Sequence, residues 1–124
     1  MKATMLQSVF PTDTNPQGNL FGGQLVAWMD TAAGVAAMRH ARATVVTARI
    51  DNIDFTVPVY VGNIVELVAT VTKVGRTSMV VEVVVTREDP YRQTRQLTTT
   101  GRFTMVAIDD HGKPVPVPPL EGSA

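Results

Sequence analysis

The sequence contains no cysteine. That removes disulfides, thiolate nucleophiles and zinc–thiolate centres together. It also lacks an excess of either charge: 11 basic and 11 acidic residues give a formal net charge of zero. Without a basic surplus nothing draws the chain to a phosphate backbone, so nucleic acid is not an expected partner. His40 and His111 are the only histidines, and no His/carboxylate cluster has metal-ligand spacing, so no metal is expected. Serine is scarce, and Ser8 and Ser78 lie in no nucleophile elbow. No segment approaches the roughly 18 uninterrupted apolar residues of a membrane span. Met1 to Phe10 holds one lysine and no apolar run of signal-peptide length. The expectation is a cytoplasmic protein without a membrane partner.

What is present suits a single domain over residues 1–124, of which 44% are hydrophobic. A domain this small leaves much apolar surface uncovered, which favours oligomers. Met1 to Val9 reads as a short strand. Pro11 to Leu20, rich in Thr, Asn, Pro and Gly, reads as a loop. From Gly22 to His40 the pattern becomes helical, with Leu25, Met29, Ala32 and Ala36 on one face and Trp28 beside them. Four β-prone runs follow: Val45 to Phe55, Ile64 to Val74, Thr77 to Arg87 and Arg95 to Ile108. Gly75-Arg76 and Glu88-Asp89-Pro90-Tyr91 supply the turns between them. Residues from about 111 to 124 form a proline-bearing tail expected to be extended. Short hairpin connections imply an antiparallel sheet, and one apolar helix against it makes an α+β fold.

Between Gly22 and Met38 the helix carries a single charged residue, Asp30. On a helical wheel it falls away from the Leu25 face, among Val26, Ala27, Ala33, Gly34 and Ala37. That neighbourhood is small and apolar, so a second copy of the chain is expected to cover it. A carboxylate in such surroundings is costly unless it is paired or functional. At the other end, Gly22 and Gly23 open the helix. Its first turn offers unpaired N–H groups and a partial positive charge, suited to an oxyanion. Gly22 and Asp30 lie about 12 Å apart along the axis, so one helix hardly supplies both to one carbonyl. Two copies packed antiparallel do, which predicts two equivalent sites at a two-fold interface.

The run Asp13-Thr14-Asn15-Pro16-Gln17-Gly18-Asn19-Leu20-Phe21-Gly22-Gly23, followed by Asp30, carries the pattern N-x-x-G-x-x-F/H-G-G-x-x-x-x-x-x-D. It resembles the hotdog acyl-CoA thioesterases of the cytosolic acyl-CoA hydrolase and YciA-like group. Val46-Thr47-Ala48, Asp54-Phe55, Val61-Gly62, Thr77-Ser78-Met79, Arg102-Phe103-Thr104-Met105-Val106, Gly112-Lys113-Pro114 and Val117-Pro118 keep the family's order downstream. The resemblance spans roughly residues 6 to 120.

The resemblance implies a hotdog fold, with one long central helix wrapped by a five- to six-stranded antiparallel sheet. It implies a homodimer with a continuous sheet, often a trimer of such dimers. The implied reaction is hydrolysis of acyl-CoA to free acid and CoA without a further cofactor. Asp30 matches the family's catalytic aspartate and Asn15 a supporting asparagine, while Gly22 and Gly23 would polarise the thioester. Family CoA contacts match Ala48, Arg49 and Ile50, and Thr77, Ser78 and Met79. Beside them, Arg49, Lys73 and Arg76 have the chemistry to meet CoA phosphates or the adenine. Met5, Val9, Leu25 and Trp28 would either border an acyl tunnel or pack as plain core. A non-catalytic acyl-CoA-binding module on the same fold is the alternative, and it would not need Asp30. A thioesterase acting on acyl carrier protein would call for a basic docking patch, which the charge balance does not supply.

Overall fold

The computed structural model describes residues 1–120. Strand β1 (Lys2–Ser8) leads through a 3-10 turn at Pro11–Asp13 and a loop into α1 (Gly22–Ala41). Then come β2 (Thr44–Phe55), β3 (Ile64–Val74), β4 (Ser78–Asp89) and β5 (Thr94–Ile108). All pairings are antiparallel, and the five strands lie in the order β1-β3-β4-β5-β2. The α+β hotdog arrangement expected above is therefore what forms.

Alternation explains the sheet. In β3, Val65, Leu67, Ala69 and Val71 face inward, and in β4, Met79, Val81, Val83 and Val85 do the same. Phe103, Met105 and Ala107 continue that face on β5. The outer face carries partly exposed charge, including Arg102–Glu82 at 3.1 Å and Arg95–Glu66 at 2.9 Å. Such exposed pairs contribute little to stability. Strand β5 carries Gly101 under the Met29 side chain, where a Cβ would lie 2.8 Å from Met29 Cε and 3.1 Å from Ile53 Cγ1.

The helix buries Leu25, Trp28, Met29, Ala32, Ala33, Ala36 and Ala37. These residues span about 180° of the wheel, wider than the Leu25 face alone. One expectation is corrected here. The helical wheel puts Ala33 and Ala37 on the face expected to meet a second copy, yet both are fully buried within the chain itself. The sheet wraps far enough round α1 for all five strands to touch it. Val26 and Gly34 are half-buried and Ala27 is exposed, so the uncovered strip is narrower than the wheel suggested. Val9, Leu25 and Trp28 pack in the main core, with Met5 against it.

Past α1, Arg42 closes the helix in the left-handed conformation, at φ 54°. The tail returns over this end: His40 Nε2 donates to the Pro118 carbonyl at 2.8 Å, and Val117 N donates to the Arg76 carbonyl at 2.9 Å. The rest of the expected tail, residues 121–124, lies outside the described residues. Among the described residues no helix is long and apolar enough to cross a membrane.

The two outer strands differ. β1 alternates buried and exposed positions, whereas no residue of β2 is buried. β2 pairs only with β5, so twelve residues of backbone edge, with Val46, Ile50 and Phe55 exposed beside it, face outward.

Candidate active site

Asp30 sits at the border of the buried stripe, just past Ala37 on the wheel, and is half-buried. Its Oδ1 accepts a hydrogen bond of 2.6 Å from Thr47 Oγ1 on β2. Thr47 also lies 3.4 Å from the Met105 sulfur, which helps fix its hydroxyl. The second oxygen, Oδ2, accepts no hydrogen bond from the described residues. The helix thus carries its one interior charge to the edge strand, with one oxygen held and one available. Thr47 was quoted above only as part of a strand motif. A threonine in a β-branched run carries no mark of its own, and only the packing of α1 on β2 brings it to Asp30.

At the far end of α1, Phe21 caps the helix without a side-chain hydrogen bond, and Leu25 N makes the first helical bond, to the Phe21 carbonyl. The N–H groups of Gly22, Gly23 and Gln24 therefore find no acceptor in the described residues. Gly22 and Gly23 both have negative φ, so glycine is not demanded there by backbone conformation. Space within the chain does not demand it at Gly23 either: a Cβ there would meet nothing within 4 Å, so this stretch of backbone stands open.

The loop before the helix brings Asn15 to the same end. Asn15 Oδ1 accepts from Gln17 N and Asn19 N, both at 3.0 Å. Two backbone donors require the oxygen, so the Nδ2 group points elsewhere with both hydrogens available. A second ladder holds this loop: Leu20 N donates to Val59 O at 2.7 Å and Val61 N to Gly18 O at 3.3 Å. Arg87 steadies the facing segment, donating to the Pro58 carbonyl with its guanidinium 5.4 Å from the Tyr60 ring. Asn15 and Gly22 line one open cavity of about 240 Å³ together with Phe55.

The proposed CoA-contact residues fall on β2 beside Thr47 and around the β3–β4 turn. Thr47 pairs with Met105, which pairs in turn with Met79, so the β2 and β4 segments flank the same stretch of β5. Ala48 sits at a bulge, and Ala48, Arg49 and Ile50 are exposed, with Arg49 3.4 Å from Asp51. Lys73 and Arg76 are exposed beside the β3–β4 turn, and Thr77 and Ser78 are half-buried. Met79 turns its side chain into the core, 0% exposed, so its backbone is what it offers outward. Among the described residues no three His, Cys, Asp or Glu side chains cluster as a metal would require.

Within one chain the structure therefore makes two half-sites. Asp30 and Thr47 lie near the middle of α1, and Asn15 with the glycine amides lies at its N-terminus.

The chain matches the thioesterase superfamily model over residues 17–93. It is 44% identical to an uncharacterised acyl-CoA thioester hydrolase of Bacillus subtilis, YkhA, over 94% of this chain and 68% of that protein. The chain belongs to the thioesterase superfamily. Among solved structures, an acyl-CoA hydrolase of Staphylococcus aureus, solved with butyryl-CoA and CoA, is 42% identical with a TM-score of 0.91, over 95% of this chain and 72% of that one. An apo-hexameric acyl-CoA thioesterase is 44% identical with a TM-score of 0.95, over 99% of this chain and 79% of its own. Three alanine variants of the Staphylococcus aureus hydrolase replace an asparagine, an aspartate and a threonine. Those positions lie 15 and 17 residues apart in order, the separations of Asn15, Asp30 and Thr47 in this superfamily member.

Proposed function

We propose that this thioesterase hydrolyses acyl-CoA to a free carboxylic acid and CoA, with Asp30 as the group that activates water. The carrying observation is the Asp30–Thr47 hydrogen bond on a helix interior that has no other charge. Thr47 holds one carboxylate oxygen, which leaves the other to accept a proton from water. The water oxygen attacks the thioester carbon, the carbon–sulfur bond breaks, and the proton on Asp30 passes to the departing thiolate. Direct attack by Asp30, giving a mixed anhydride that water then opens, uses the same placement. The Gly23 amide and Asn15 Nδ2 supply donors for the carbonyl oxygen as charge develops on it. CoA enters as part of the substrate, and this chemistry asks for no other cofactor.

The two half-sites complete each other only between copies. About 12 Å of helix separates Gly22 from Asp30. Antiparallel pairing of β2 with β2 of a second copy, about a two-fold near Asp51, places Thr47 of one chain opposite Phe55 of the other. Asp30 of one copy then approaches Gly22 and Asn15 of its mate. The unpaired, partly apolar β2 edge favours this pairing, since such an edge is otherwise a liability. Three such dimers would make the hexamer known for the related apo-hexameric enzyme. Arg49, Lys73, Arg76, Thr77 and Ser78 are assigned to CoA, with Ala48 and Ile50 bordering it. A cytoplasmic location fits an acyl-CoA substrate, and no nucleic acid partner is proposed.

The test is CoA release from a panel of acyl-CoAs, followed with a thiol reagent to which a cysteine-free chain contributes no background. Asp30→Ala should abolish release while the protein stays folded. Near-normal turnover by that variant defeats the assignment of Asp30. A wild-type protein that binds acyl-CoA without releasing CoA would make it a binding module instead.

A further inference from the structure

We infer that Phe55 sets how long an acyl chain the enzyme accepts, as the wall between two cavities beside the helix N-terminus; this rests on the hydrolase reading above. Phe55 is a large aromatic left 55% exposed at the end of β2, outside the main core. Its ring lies across the start of α1, with Cζ 3.6 Å from where a Cβ on Gly22 would stand.

The cavity on that side holds about 240 Å³. Asn15 and Gly22 mark its polar end, and Leu25, Phe55, Pro58 and Val59 form apolar walls. A thioester carbonyl held at the glycine amides sends its alkyl chain along those walls. On the far side of Phe55 a second cavity of about 250 Å³ opens between the ends of β2 and β5, against Leu97 and Thr99. Phe55 is the one residue common to the two linings.

The first cavity equals about eight water-sized groups at about 30 Å³ each. It takes a short acyl chain and stops it at the phenyl ring. Removing the ring joins the cavities and roughly doubles the room. Neither Arg87 nor the Leu20–Val59 hydrogen bond touches Phe55, so the opposite wall keeps its own supports. The inner wall cannot yield in the same way, because Leu25 belongs to the main core.

The experiment measures kcat/KM for saturated acyl-CoAs of increasing chain length with the wild type, Phe55→Ala, Phe55→Leu and Phe55→Trp, checking the oligomeric state of each. The wild type should favour chains of about four to eight carbons, the size that about eight water-sized groups allow. Phe55→Ala should move the optimum to longer chains. Each additional buried methylene is worth about fourfold, so the ratio of dodecanoyl-CoA to hexanoyl-CoA should rise at least about tenfold. Phe55→Leu should shift the same way by less, and Phe55→Trp the opposite way. If Phe55→Ala does not fold, the opposite shifts of the leucine and tryptophan variants decide the matter. Unchanged chain-length profiles, with activity lowered evenly or not at all, overturn the inference. Failure of the hydrolase reading looks different: the wild type releases no CoA from any chain, or Asp30→Ala matches it.

Discussion

Replacing Thr47 by valine removes the hydroxyl that holds Asp30 and leaves a β-branched side chain of nearly the same shape in the strand. The 2.6 Å contact joins a hydroxyl to a carboxylate, a class worth about 1.5–3 kcal/mol. Thr47 is exposed and Asp30 half-buried, so the lower end applies, about 1.5 kcal/mol. If that energy serves to aim Oδ2 at the attacking water, kcat falls by roughly tenfold while KM stays within about twofold. Thr47→Ser keeps the donor and should recover most of the rate. Asp30→Asn keeps the shape, removes the base and should cost about 10²–10⁴-fold.

The decisive measurement is the double mutant. With asparagine at position 30 there is no carboxylate to aim, so Thr47→Val should add less than about twofold to the loss. Initial rates of CoA release for the four proteins give the coupling directly. Additive losses would mean that Thr47 acts on substrate independently of Asp30. An unaltered rate in Thr47→Val alone would mean that the hydrogen bond has no part in turnover. Either result refutes the positioning argument.

Three further expectations concern the other half-site. Asn15→Asp keeps an oxygen for Gln17 N and Asn19 N but loses the Nδ2 donor, so melting should hold while turnover drops by about 10²-fold; wild-type rates would remove the amide from the mechanism. Gly23→Ala places its Cβ in open space, so stability should hold or rise by up to about 1 kcal/mol in denaturant melts. The same methyl crowds the amides, and kcat/KM should fall at least about tenfold; an unaffected rate would show that no substrate approaches there. Mixing Asp30→Ala with Asn15→Ala, each inactive alone, should restore about a quarter of wild-type activity after subunit exchange, because half the dimers then hold one intact site. No recovery in demonstrated heterodimers would place each site within one chain.

The fold was legible because local signals agreed. Alternation in Ile64–Val74 and Ser78–Asp89, the Gly75-Arg76 turn and the helical spacing of Leu25, Met29, Ala32 and Ala36 all describe one sheet against one helix. The wheel misled at Ala33 and Ala37, since it assumes a flat partner and a twisted, wrapping sheet covers about half the circumference. Of Thr77, Ser78 and Met79, strand alternation turns only the Met79 side chain fully inward, which the motif itself does not show. Asp30 stood out from sequence as an isolated charge. Thr47 did not, because a partnership across 17 residues is set by where a helix crosses an edge strand. Phe55 was likewise read only as part of a motif, although its ring borders two cavities.

On the proposed dimer reading, the position of Asp30 at the margin of the buried stripe accounts for a chain that folds alone yet needs a second copy to complete its site. One helical step inward, near Ala37, the carboxylate would lie under the sheet and carry a desolvation cost that one threonine does not offset. Further outward, near Ala27, it would be fully solvated and unaimed. At the margin, the strand beside the helix has an open edge, and that strand supplies the hydroxyl that holds the charge. That opening leaves one edge of β2 unpaired, and the amides at the helix start find no acceptor among the described residues. The open β2 edge and the free amides are thus the features a second copy, related by the proposed two-fold near Asp51, would use.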